Sequence, residues 1–298
     1  MKVFLTGATG YIGSVVAEKL LGKGHQVTGL ARDEAKLAGR KIEIVRGDLH
    51  DFDVLKRSAR EADAVIHTAF SHNFSDYNDA VKLDREVIAA FAEALAQTNK
   101  PLIVTASSAV LGDTRGVEAD EDFPFAENSP RRLRGEAERD ALQLSSKGIR
   151  SIVLRLPLFV YGRGGSSFVP FIINQARAVG TANYIESGEH RVSAVHVEDT
   201  ADLYLLALET GTAKGLYNVS AESASLKELN EAAARLLNVK TKSISAEKGR
   251  DQFGRMFDFL SINNQLSAEK AERELGWKPR ANTTIADDVE NGSYRNFK

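Results

Sequence analysis

The sequence contains no cysteine. That absence excludes disulfide bonds, thiolate metal ligands and a cysteine nucleophile together. It also accords with a reducing compartment, so a cytoplasmic location is expected. An excess of one charge is lacking as well: 39 Lys and Arg stand against 41 Asp and Glu, a formal net charge of −2. So even a balance offers no electrostatic footprint for nucleic acid or an anionic membrane. No apolar run approaches the ~20 residues of a membrane span. The opening "MKVFLTGATG" reads as a strand at once, with no charged-then-apolar leader. No His/Asp/Glu cluster has metal-ligand spacing, so no metal is expected.

What is present is an ordinary core-forming composition: 298 residues, 43% hydrophobic and 27% charged. Short Val/Ile/Leu-rich runs ("KVFLT", "HQVTGLA", "IEIVRG", "ADAVIHTA", "PLIVTAS", "RSIVLRL") alternate with longer amphipathic stretches. The runs suit strands buried on both faces. In the stretches between them apolar residues recur three and four apart, as with Val16 and Leu20, or Val87, Phe91 and Leu95. That spacing predicts helices packed on a sheet. Alternating units of this kind predict an α/β fold, a Rossmann-type doubly wound parallel sheet. Residues 1–156 are expected to form a dinucleotide-binding domain, with 191–210 returning to it. Residues 157–298 are expected to form a small, interwoven α/β substrate-binding region.

The stretch "TGATGYIG" sets Gly7, Gly10 and Gly13 between the first strand and the first helix. In that context Gly7 permits a tight turn, Gly10 a close approach to a pyrophosphate, and Gly13 close helix–strand packing. The anion would sit on the helix N-terminus. A ribose-binding acid is expected about 20 residues further on, but strand two ends in Arg32. A guanidinium there suits a ribose 2′-phosphate, with Lys36 and Arg40 nearby, although Asp33 could still reach a ribose hydroxyl. NADP(H) is therefore expected over NAD(H). Asp48 and Leu49, after strand three, would flank the adenine.

Taken in order, "TGATGYIG", "GDL", "VTASSAVLGD", "RLPLFVYG", "AVHVEDTADLY" and "ELGWKPR" resemble the extended short-chain dehydrogenases/reductases. That group includes nucleotide-sugar epimerases and dehydratases. The resemblance implies an active site in the cleft between a Rossmann domain and a small C-terminal substrate domain. It also implies that Ser107, with Ser108 beside it, hydrogen-bonds the substrate oxygen, and that the loop carrying Pro157 and Tyr161 lies near the nicotinamide. The cofactor-binding set expected is Gly7, Thr9, Gly10, Tyr11, Ile12, Gly13, Arg32, Asp48, Leu49, Thr68, Ala69 and Pro157. Family members often dimerise through the long helices flanking strand five, so a monomer or a homodimer is expected.

One departure is plain. Where the family carries Ser-Pro-Tyr-x-x-x-Lys, this chain reads Ser129-Pro130-Arg131-Arg132-Leu133-Arg134-Gly135. An arginine cannot simply replace the tyrosine, because it stays protonated. Arg131 or Arg134, facing inward, would instead stabilise negative charge on a substrate oxygen. His72, in a loop after strand four, is a candidate proton donor, along with Ser107, Tyr161 and His196. His67 reads more simply as a strand-end packing residue, and His196 as a structural residue oriented by a neighbour such as Asp199. The chain thus reads as an NADPH-dependent reductase of a small carbonyl or activated alkene, with Ser107, Arg131 and His72 at the catalytic centre. The alternative is a non-catalytic NADP(H)-binding redox sensor or regulatory scaffold.

Overall fold

The computed structural model describes residues 1–70, 77–126 and 131–297. The loop candidate His72 lies outside the described residues. The first half runs β1 (Lys2–Thr6), α1 (Tyr11–Gly22), β2 (Gln26–Ala31), β3 (Ile42–Arg46), α2 (Phe52–Glu61), β4 (Ala64–His67), α3 (Tyr77–Leu95) and β5 (Pro101–Ser107). A two-residue β6 (Glu118–Ala119), α4 (Arg132–Gln143) and β7 (Arg150–Leu156) follow. The second half continues as β8 (Phe159–Tyr161), α5 (Phe168–Val179), β9 (Thr181–Ile185), β10 (Arg191–His196), α6 (Val197–Glu209), β11 (Gly215–Asn218) and β12 (Glu222–Ser225). It closes with α7 (Leu226–Leu237), β13 (Lys240–Ile244), α8 (Ala246–Phe253), α9 (Phe257–Leu260), β14 (Gln265–Leu266), α10 (Glu269–Leu275) and α11 (Ile285–Asn291).

Seven strands form one parallel sheet in the order β3-β2-β1-β4-β5-β7-β11. Alternation along β1 explains why both faces must be covered. Val3 and Leu5 join a core with Val16 and Leu20 of α1, Leu203 and Leu208 of α6, and Trp277. Phe4, between them, joins the opposite core with Leu55 of α2 and Val87 and Phe91 of α3. Phe4 and Phe91 meet edge to face with ring centroids 6.2 Å apart, a favoured aromatic geometry.

A third core holds the second layer together: Phe159, Ile173, Ile185, Leu229, Phe253, Leu260 and Val289 are all buried there. Its helix α7 starts sharply because Ser225 and Glu228 cap each other. Ser225 Oγ accepts from the Glu228 amide at 3.1 Å, and Glu228 Oε2 accepts from the Ser225 amide at 2.6 Å.

The two layers are interwoven differently from the expected division. The segment expected to return to the first domain does so only in part: α6 packs on α1 and joins its core. The strand before it, β10, pairs instead with β8 and β12 in a separate three-stranded sheet. In its place β11, from the segment assigned to the substrate region, completes the large sheet beside β7. Edge pairing decides this: β7 has an open side, and β11 offers buried Leu216 and Tyr217 to it. No helix among the described residues is long and apolar enough to cross a membrane.

Candidate functional site

The carboxyl ends of β1, β2, β4, β5 and β7 open onto a cavity of about 660 Å³. Gly7 turns the chain out of β1 with φ +81°, a conformation only glycine adopts freely. A Cβ there would lie 2.6 Å from Thr68 Oγ1, and one at Gly13 would strike the Gly7 carbonyl. Gly10 is different: its Cβ would meet only the Gly7 carbonyl, at 3.2 Å. Gly10 caps α1 with no side-chain hydrogen bond, and no acid stands in the first turn. The helix therefore presents its first amides and positive dipole end to the cavity uncontested.

All twelve expected cofactor residues line this one cavity: Gly7, Thr9, Gly10, Tyr11, Ile12, Gly13, Arg32, Asp48, Leu49, Thr68, Ala69 and Pro157. So do Ser107 and Arg131. Arg32 is exposed at one end. Its neighbour Asp33 spends its carboxylate on the Ala35 amide at 3.0 Å. Lys36 and Arg40, expected as helpers, do not line the cavity.

At the other end Ser107 closes β5 and caps the short turn that follows, its Oγ accepting from the Ala109 amide at 3.3 Å. Ser108 is fully buried and does not line this cavity, so Ser107 is the serine of the pair that meets it. Of the three clustered arginines, Arg131 and Arg134 line the cavity and Arg132 turns outward to Glu136. Arg131 stacks on Phe259 with its guanidinium carbon 3.8 Å from the ring centroid. Burial pulls its pKa below the ordinary arginine value, partly offset by Tyr77 and Asp258.

Arg134 anchors a buried polar chain. It donates to Asp84 and, at 2.7 Å, to the Thr105 carbonyl. Asp84 also lies 3.1 Å from His67 Nε2, and His67 Nδ1 lies 2.6 Å from the Thr6 hydroxyl, which extends the hydrogen-bonded chain to β1. Burial pushes the Asp84 carboxyl up, but Arg134 and His67 outweigh it and hold it below the usual carboxylate range. His67 is thus a bonded member of a network as well as the strand-end packing residue its position suggests, buried edge to face against Phe91 at 5.7 Å. His196 caps α6, its Nδ1 accepting from the Glu198 amide at 3.2 Å. Asp199 does not orient it: that carboxylate accepts from the Arg280 and Ala281 amides at 2.7 and 3.1 Å. The Tyr161 hydroxyl donates to the Thr283 carbonyl at 2.7 Å, and neither Tyr161 nor His196 lines the cavity.

Gly135 packs against Phe125: a Cβ at Gly135 would lie 2.9 Å from that ring. The cavity also recruits residues that no sequence pattern marks, among them Phe70, Tyr77 and Phe259. Among the described residues no group of three or more His, Asp or Glu could hold a metal ion.

Comparison with known proteins gives the fold a lineage. The model of the NAD-dependent epimerase/dehydratase family matches residues 3–220. An uncharacterised protein of Schizosaccharomyces pombe is 40% identical over 291 residues, spanning 96% of this chain and 98% of its own. A 4-hydroxy-2-methyl-3-oxo-4-farnesyl-3,4-dihydroquinoline-1-oxide ketoreductase of Stigmatella aurantiaca is 27% identical over 271 residues, 85% of this chain and 77% of its own. Among solved structures, the UDP-glucose 4-epimerase of Thermus thermophilus, in complex with NAD, superposes with a TM-score of 0.78 over 100% of both chains at 23% identity. The glycine turn, the seven-stranded sheet and the family match agree, and the chain belongs to the NAD-dependent epimerase/dehydratase family.

Proposed function

We propose that the protein is a reductase of a small carbonyl or activated alkene, using a nicotinamide dinucleotide, with NADP(H) preferred to NAD(H). The observation that carries this reading is the single cavity joining the glycine turn to Ser107 and Arg131. Its turn end fits a pyrophosphate, because Gly10 leaves the first amides of α1 open to an anion. Arg32 suits a 2′-phosphate through two parallel N–H donors, and Asp33 is committed to its own cap. When bound, a dihydronicotinamide supplies hydride. The chain's part is electrostatic: the Ser107 hydroxyl donates to the substrate oxygen, and Arg131 stabilises the negative charge that gathers there. The ketoreductase relative supports a carbonyl substrate.

The test is calorimetric titration of the purified protein with NADPH, NADP⁺, NADH and NAD⁺, followed by a screen of aldehydes, ketones and enals. Arg32→Glu should weaken NADPH by at least about tenfold, the worth of a charge-assisted hydrogen bond, while NADH changes far less. Equal losses for both would sink the NADP(H) preference. Selective binding without turnover of any substrate would favour a redox sensor or regulatory scaffold instead.

A further inference from the structure

Reduction of a carbonyl requires a proton at the substrate oxygen, and the family's tyrosine position holds Arg131. The cavity wall narrows the choice of donor. Guanidinium groups do not surrender protons near neutrality. The Thr105 hydroxyl donates to the His67 carbonyl at 2.8 Å and meets the Tyr204 hydroxyl at 2.6 Å. Thr68 donates to the Thr6 carbonyl at 2.8 Å. Two tyrosines line the cavity, Tyr11 and Tyr77. Tyr11 donates to the Gly162 carbonyl at 2.7 Å and belongs to the glycine turn.

Tyr77 stands elsewhere. It is the first residue of α3, half-buried, and among the described residues no hydrogen bond engages its hydroxyl. Its ring lies 6.1 Å from that of Phe70, and Phe70 carries the Arg134 guanidinium 4.4 Å from its centroid. Arg131 lines the same wall from the start of α4. Burial raises the Tyr77 pKa, Arg134 and Arg131 lower it, and Asp84 raises it again, with the net direction upward. Tyr77 is therefore protonated at neutral pH, with two cations placed to receive a phenolate.

We propose that Tyr77 is the proton donor of this site: the acid has moved from α4 to the start of α3, and the α4 arginines supply the positive field. The assignment rests on the reductase reading. As hydride from the bound dihydronicotinamide adds to the carbonyl carbon, the C=O π pair moves to oxygen. The Tyr77 O–H bond then breaks, its proton goes to that oxygen, and its electron pair stays as phenolate facing Arg131 and Arg134. Water returns the proton. The carbonyl is reduced and the dihydronicotinamide oxidised.

Tyr77→Phe keeps the ring and deletes the proton. It should lower kcat by about a hundredfold or more, the usual worth of a general acid, with NADPH affinity and thermal midpoint little changed. A second readout needs no turnover. In ring-labelled tyrosine NMR, the resonance missing from Tyr77→Phe should begin to titrate at higher pH in Arg131→Gln than in the wild type, since a cation is lost. Wild-type turnover in Tyr77→Phe, or a Tyr77 resonance indifferent to Arg131→Gln, would overturn the assignment and leave the reductase reading standing. A wild-type protein inert with every carbonyl and alkene would overturn both.

Discussion

Asp84 sits 2% exposed on α3, between an imidazole and a guanidinium. Deleting its charge leaves Arg134 buried and uncompensated. Asp84→Asn should therefore cost about 3–5 kcal/mol in denaturant unfolding; a loss under about 1 kcal/mol would mean that water already screens the pair. The sign of its pH dependence follows from the depressed folded pKa. Its contribution is complete above about pH 4, the unfolded carboxyl value, and is lost as the pH falls through the folded value. On acidification the wild type should thus lose Tm more steeply than Asp84→Asn. At this scale the sequence is legible where the backbone itself is coded, as at Gly7, or where a residue occupies a motif position, as at Arg131. His67, Asp84 and Tyr77 escape such reading, because their partners are distant in sequence and no local pattern marks them.

The elements that carry the site are α1, α3 and α4, and each is set by the face it buries. α3 is anchored in its C-terminal half by Phe91, which meets Phe4 at 6.2 Å and His67 at 5.7 Å. Phe91→Ala should destabilise by about 3–5 kcal/mol, read as a fall in the denaturant midpoint; under about 1 kcal/mol would show the helix held by its polar contacts alone. Helices and central strands are legible from periodicity, since burial on a sheet imposes spacings of two and of three to four. Strand partners are not. β10 (RVSAVH) and β11 (GLYN) are both short strands of mixed character, yet β11 pairs with β7 in the large sheet and β10 with β8 outside it.

At the scale of the molecule, the cavity lies where the large sheet meets the second layer. Phe259 of α9 and Phe168 of α5 line it from the second layer. Trp277, late in the chain, is fully buried in the first core, its indole N–H donating to the Asp199 carbonyl at 3.0 Å. A fragment ending at residue 156 lacks β11, α6 and Trp277, and it should show no cooperative thermal transition. A sharp transition with retained NADPH binding would mean that the first layer is self-sufficient. The late arrival of β11 also has a biosynthetic consequence. A ribosome delivers the glycine turn first and the strand that finishes its sheet only after the second layer has begun to emerge. Until then β7 is a bare edge, open to pairing with another nascent chain, so the speed of elongation becomes a determinant of yield.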